Sequence, residues 1–388
     1  MDFRISEEQR AFVETVRKVC QNEFKARAIR YLDGTWPAEN MKRLAEIGVL
    51  GMAVPQQYGG SGLGILDTVL VLEEIGKVCY VTAMAALGEL GVQTRIISAY
   101  APETIKAKVL PRVASGEAIL AICMTEPDAG TDVPSYRTNC DVRGDRVVLN
   151  GVKTLISRAD IAEMLVVFTR VNRVPGAAGI GCVLVPGGAK GLSVKASFHT
   201  LGGERLCEVV FDNVELPLEN LVVRDHGMKR LLSAFNTQRC LNPAICLGLA
   251  EGALEEAVRY MRSREAFGRK IGEFQGLRWK VADMYIEIEA GRGLLYRAAV
   301  SGAEFPDPTL AAMAKVYCNE MAIRVTSEAI QIHGGYGFTD EFAVSRLFRG
   351  ARYGTLGGGT TETLRNLIGR KLVEQMDLAS GVAGLGAF

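Results

Sequence analysis

This chain is short of the residues that most often announce a reaction. Its 388 residues hold three histidines and two tryptophans, and His199, His226 and His333 stand far apart. Nine cysteines are scattered without CxxC spacing, so no zinc site is expected. An odd number of dispersed thiols fits a reducing compartment, where cysteine behaves as a small hydrophobe, and a cytoplasmic location is expected. The net charge of +1 gives a nucleic acid or an anionic membrane no global attraction; any anion site must be local. No run of about 18 apolar residues occurs, so no membrane span is expected. Charges in the opening MDFRISEEQRAF interrupt the apolar core that a signal peptide needs. There is no repeat, no low-complexity tract and no true GxGxxG. Gly60-Ser61-Gly62-Leu63-Gly64 comes nearest, but its spacing is wrong and no strand–turn–helix surrounds it, so a Rossmann nucleotide site is not expected.

What is present divides into three textures. With 48% hydrophobic residues the chain can bury a substantial core, and at roughly 100–200 residues per domain its length suggests two or three domains. Residues 1–118 read as helical: 7–23, 65–78 and 82–100 carry apolar residues at helical spacing, and Ser6 with Gln9 forms a capping box. Residues 119–228 are richer in β-branched residues. Candidate strands are 146–149, 164–171, 180–185, 192–196 and 208–211, punctuated by turn residues, which suggests a small antiparallel β domain. Helical spacing returns in 229–376. There 244–261 and 277–300 are candidate helices, and Leu310, Met313, Ala314, Tyr317 and Met321 mark one apolar face. A short tail, 377–388, is rich in Gly and Ala. A helical–β–helical order defines an α+β chain and argues against a doubly wound α/β fold.

Four segments carry candidate chemistry, and each also has an ordinary reading. The loop Met124-Thr125-Glu126-Pro127-Asp128-Ala129-Gly130-Thr131-Asp132 supplies backbone N–H groups and hydroxyls that suit an electron-rich ligand edge; alone it is equally a surface turn. Asn150-Gly151 between strand residues is a hairpin signal, and Ser157 follows it. Arg264, Arg269 and Lys270 cluster after a helix, suited to a pyrophosphate or simply solvated. Gln331-Ile332-His333-Gly334-Gly335-Tyr336-Gly337 lets backbone approach a ligand closely, or caps a helix.

In this order and at these intervals the four segments resemble the acyl-CoA dehydrogenase superfamily, from about Phe3 to Val373. Phe211-Asp212-Asn213-Val214-Glu215-Leu216-Pro217 matches as well. The resemblance implies an N-terminal helical domain, a middle β-barrel domain and a C-terminal four-helix bundle, with FAD as cofactor, an acyl-CoA or enoyl-CoA substrate and a homotetramer or dimer. An electron-transferring flavoprotein is the implied electron partner. It places Met124, Thr125, Thr131, Asp132 and Ser157 near the flavin ring. Arg264, Phe267 and Gln275 would hold a neighbouring subunit's FAD, Gln331, Gly334 and Gly335 its ADP part, and Thr360 and Glu362 would close the site. Asn236 and Arg239 fall at substrate-side positions.

The departures from the family pattern concern the base that removes the thioester α-proton. The usual glutamate position is Gly358, within Leu356-Gly357-Gly358-Gly359-Thr360-Thr361-Glu362. The alternative helix position, just before Arg239, is Gln238. Asn236 stands for the usual aspartate and Leu155 for the usual tryptophan. Crotonobetainyl-CoA reductases share a Gly-Gly at this turn but keep the helix glutamate, so that likeness is partial. Glu89 and Glu362 remain as carboxylate candidates. A positioned base is typically worth about 10²–10⁴ in rate. Three readings therefore stand open: redox at the Cα–Cβ bond of a CoA ester, a non-catalytic FAD- or CoA-binding partner subunit, or a flavin oxidase or monooxygenase.

Overall fold

The computed structural model describes residues 5–224 and 226–375; the 377–388 tail lies outside them. Helix α1 (Glu7–Val19) starts at the expected capping box. Ser6 Oγ accepts the Gln9 N–H at 3.1 Å, and Gln9 Oε1 accepts the Ser6 N–H at 2.9 Å. α2 (Ala38–Glu46), α3 (Ile65–Gly76), α4 (Tyr80–Leu90), α5 (Val92–Tyr100) and α6 (Glu103–Ala114) follow. The periodic stretch 82–100 is thus two helices, not one. Gly91 breaks it with φ −95°, ψ −150°, and a Cβ there would lie 2.3 Å from the Leu87 carbonyl oxygen.

The middle segment forms one eight-stranded sheet: β1 (Leu120–Cys123), β2 (Asn139–Arg143), β3 (Arg146–Ser157), β4 (Met164–Val171), β5 (Ile180–Pro186), β6 (Leu192–His199), β7 (Arg205–Pro217) and β8 (Leu221–Val223). The order is β6-β7-β3-β2-β4-β5-β8, with β1 also on β4. The antiparallel expectation needs correcting, because β1 and β2 both pair with β4 in parallel. The chain leaves β1 through a loop and a hairpin before β4, the long excursion that parallel neighbours require. That hairpin turns at Gly144-Asp145, between Arg143 and Arg146. Asn150-Gly151 lies inside β3 instead, at a register shift opposite β7. Gly151 has φ 147°, and a Cβ on it would meet Thr138 Cα at 2.6 Å; the glycine serves a bulge and a close backbone approach rather than a turn.

The C-terminal part holds α7 (Gly227–Phe235), α8 (Gln238–Ser263), α9 (Gln275–Ala299), α10 (Pro308–His333), α11 (Ala343–Gly354) and α12 (Thr361–Gln375). One apolar core runs without interruption from α1–α4 into α8–α11, while separate clusters lie between α5–α7 and the sheet and within the sheet. Each fully buried Leu or Val contributes roughly 1.5–3 kcal/mol. Buried charges stitch the two helical parts together. Arg292 reaches Glu73 (2.7 Å) and Glu251 (2.5 Å), and Lys77 reaches Glu74 (2.9 Å) and Glu251 (2.8 Å). All nine cysteines are buried and free. Among the described residues no helix is long and apolar enough to cross a membrane, and no cluster of potential metal ligands occurs.

Candidate active site

At one end of the bundle, α8 runs into a two-stranded turn, Glu265–Ala266 against Arg269–Lys270. Its tip displays Phe267, 95% exposed with φ 53°. An exposed aromatic ring on left-handed backbone has no use in the monomer's own core. Arg264 and Gln275 flank it, also exposed. The glycine turn after α10 lies at the same end: His333 stacks on Tyr260 of α8 with centroids 4.4 Å apart. His333 also packs edge-on against Phe342 and hydrogen-bonds Ala329 O, so it is a packing residue. Gly334 caps α10 with φ 60°. Nothing lies within 4 Å of a Cβ built on Gly334 or Gly335, so this backbone is open to a ligand. Gln331 is exposed on the last turn beside it.

A second surface is the lip of the sheet after β1. Thr125 O accepts the Thr154 N–H at 2.9 Å, tying the loop to β3 three residues before Ser157. Beneath it Lys153, fully buried, donates to Met124 O (2.7 Å) and Glu126 Oε1 (2.8 Å) and lies 3.8 Å from the Tyr136 ring centroid. Burial lowers the Lys153 amine to about 8, against the pull of Glu126. Burial also works against the Glu126 carboxylate, but Lys153 and the backbone N–H groups of Arg137 and Thr138 hold it below the usual range. Leu155 is half exposed at φ 58°, presenting an apolar face on this lip. Thr131 and Asp132 are exposed on the same loop, and Ser157 is half-buried at the end of β3.

The third group gathers Gly358 and Gln238, the two positions where the sequence resemblance would place a base. Gly358 and Gly359 are left-handed, with φ 74° and 91°. A Cβ on Gly358 would lie 3.2 Å from Lys315 Cε and 3.5 Å from Gln238 Cγ. Gly358 and Gln238 are therefore neighbours, and Lys315 is beside Gly358. Lys315 is fully buried and donates to Gly354 O (2.8 Å) and Gly359 O (3.0 Å). Burial lowers its amine to about 8; Cys246 pulls it up and Arg239 pushes it down. Arg239 is 8% exposed, gives one N–H to Asn236 Oδ1 at 2.8 Å and leaves its Nε without a partner. Gln238 Oε1 and Gln93 Oε1 converge on Gly91, 3.4 and 3.5 Å from a Cβ placed there.

Glu89 takes another course. Its oxygens accept the Leu120 N–H (3.1 Å) and an Arg158 N–H (3.4 Å), and burial raises its carboxyl; it pins α4 to β1. Thr360 Oγ1 accepts the Thr363 N–H at 3.3 Å at the start of α12, and Glu362 is exposed on the first turn. Nothing in the sequence singles out Lys315 or Lys153. A lysine one residue beyond Ala314 reads as an ordinary helix position, and nothing local shows that its amine reaches a turn some forty residues on.

A helix–sheet–helix chain that presents open glycine backbone, an exposed aromatic hairpin and a polar sheet lip defines a class of proteins with surfaces suited to a large ligand. The family models for the acyl-CoA dehydrogenase N-terminal, middle and C-terminal domains match residues 6–117, 121–214 and 225–373. A short-chain-specific acyl-CoA dehydrogenase of Clostridium acetobutylicum is 35% identical, covering 96% of this chain and all of the relative. A 3-sulfinopropanoyl-CoA desulfinase of Advenella mimigardefordensis is also 35% identical, over 96% of this chain and 95% of the relative. Butyryl-CoA dehydrogenase from Megasphaera elsdenii superposes with a TM-score of 0.92 at 30% identity, over 96% of this chain and all of that one. The chain belongs to the acyl-CoA dehydrogenase family, whose cofactor is FAD.

Proposed function

We propose that the protein is an FAD-dependent oxidoreductase acting at the Cα–Cβ bond of a CoA thioester, working as a homotetramer, and that it lacks a carboxylate base at Cα. The observation that carries this reading is the outward-facing set Arg264, Phe267, Gln275, Gln331, Gly334 and Gly335. Exposed on the described surface, these residues suit the nucleotide half of a dinucleotide shared between subunits. The residues present fit FAD. Leu155 offers an apolar face for a ring, Thr125 and Ser157 offer polar groups beside it, and Arg264 offers charge for a pyrophosphate. FAD supplies hydride acceptance and donation when bound.

The chain's own residues then position the thioester and control its α-proton. With Gly358 and Gln238 at the base positions, no carboxylate is held at Cα. Gln238 donates or accepts a hydrogen bond but takes no proton. Dehydrogenation and its reverse both lose that help, and the proton is exchanged with water; reduction of an enoyl ester, with the proton delivered from water, is the direction proposed here. The same absence supports a second reading, in which the Cβ–S bond of a 3-sulfino ester breaks, a proton from water takes the place of sulfur on Cβ and the sulfinate leaves with the water oxygen as bisulfite; a desulfinase is what the Advenella relative is named.

Anaerobic titration of the purified yellow protein separates these. Reoxidation of the dithionite-reduced protein by crotonyl-CoA is the expected result, with bleaching by butyryl-CoA slow. A flavin that answers to no CoA ester indicates a partner subunit, or an oxidase or monooxygenase if oxygen is consumed. A colourless protein that refuses FAD defeats the proposal.

A further inference from the structure

Several buried cations of this chain have acids beside them: Lys153 has Glu126, Lys77 has Glu74 and Glu251, Arg292 has Glu73 and Glu251, and Arg158 has Glu89. Three cations in the region of Gly358 and Gln238 have none. The contacts of Lys315 are two backbone carbonyls. The side-chain partner of Arg239 is the neutral Asn236, and its Nε is buried and unpartnered. Arg95 of α5 leaves Nε and Nη2 buried and unpartnered; it lies close enough to Cys240, the neighbour of Arg239, to draw that thiol's pKa down against burial. Among the described residues no carboxylate pairs with any of the three. Burying unpaired charge costs several kcal/mol, and such a cost is retained where a ligand supplies the missing countercharge.

Resting on the reading of this site as a CoA-thioester site, we infer that Arg239, with Lys315 and Arg95 in its neighbourhood, receives an anionic group at the far end of a short acyl chain, a carboxylate or a sulfinate. The two positions that would carry a resident acid here are a glycine and a glutamine, so the substrate itself brings the negative charge. Guanidinium suits both oxyanions, because its fork of N–H donors matches a pair of oxygens on one atom. Gly358 has no side chain to compete for the space, and Gln238 adds an amide that hydrogen-bonds without adding charge.

Calorimetric titration of the flavin-loaded, full-length protein with butyryl-CoA, succinyl-CoA, CoA and free succinate tests this. Succinyl-CoA places a carboxylate where butyryl-CoA has its methyl group. Succinyl-CoA is expected to bind at least about tenfold tighter than butyryl-CoA, one charge-assisted contact. Arg239→Gln is expected to remove most of that difference, and Arg95→Met part of it. Equal affinity of the native protein for the two esters overturns the inference and leaves the CoA-thioester reading standing. Free succinate binding as tightly as its ester makes this a site for loose oxyanions and overturns the acyl assignment. CoA alone matching succinyl-CoA puts the affinity in the nucleotide and overturns that assignment equally. Failure of every CoA compound to bind defeats the thioester reading and this inference with it. The comparison of native affinities decides the matter even where a variant fails to fold.

Discussion

Lys153 and Lys315 are both sealed from solvent, yet they hold different things. Lys153 joins an acid, a carbonyl and a ring under the sheet lip, so Lys153→Met leaves Glu126 buried with backbone donors alone. A loss of about 3 kcal/mol is expected, at the lower end for a broken buried pair, measured by urea unfolding, together with weaker flavin retention. Gly358→Ala puts a side chain on left-handed backbone and is expected to cost roughly 1–2 kcal/mol in the same assay. Lys315 predicts a pH effect. Its folded-state pKa, about 8, lies below the ordinary lysine value of 10.5. The amine loses its proton in the folded protein as pH rises through about 8, while the unfolded chain keeps its own until higher pH. Folded stability from this group therefore grows with pH across that window, while attraction for an anion declines. The charged and titratable groups facing it are Arg239 and Cys246. Succinyl-CoA should bind several-fold more weakly at about pH 9 than at about pH 7, and butyryl-CoA equally at both. Gly358 and Gln238 stand out in the sequence because the resemblance would place an acid at each. Arg95 is not, because one arginine in an apolar helix carries no mark of what faces it.

At the scale of elements, period and composition locate the long helices well and their interruptions poorly. The stretch 82–100 has continuous helical spacing, yet Gly91 divides it and thereby brings Gln93 toward Gln238. Gly91→Ala is expected to cost roughly 1–3 kcal/mol, because its Cβ would press on the Leu87 carbonyl oxygen; urea unfolding of the variant checks it. Asn150-Gly151 shows the reverse error. The dipeptide favours a tight turn, but strand residues on both sides and a bulge against β7 keep it extended. The hairpin at Glu265–Lys270 is legible only as a basic cluster. Its Phe267 is almost wholly exposed and its ring meets Phe274 edge to face, so Phe267→Ala should leave unfolding within about 0.5 kcal/mol of the native protein. The same variant should lose flavin on gel filtration; full retention would remove this ring from the cofactor site.

Across the whole molecule, the three textures do not make three independent cores. The first and last helical segments share one apolar core and one network of buried ion pairs, and the sheet is carried between them. The sequence pattern separates segments by local period, and period says nothing about which segments later press together. α9 also shows Trp279, Tyr285 and Ile286 to solvent, an apolar surface that suits contact between copies. Sedimentation is expected to give a multiple of the 41.9 kDa chain mass. The burial of every thiol has a practical sequel. A maleimide dye or a disulfide reagent finds no sulfur to attack while the chain stays closed, so the rate of labelling becomes a clock for opening events. Because Cys123 and Cys140 belong to the sheet while Cys246 and Cys318 belong to the bundle, peptide mapping of the tagged sites would tell which half of the molecule breathes first.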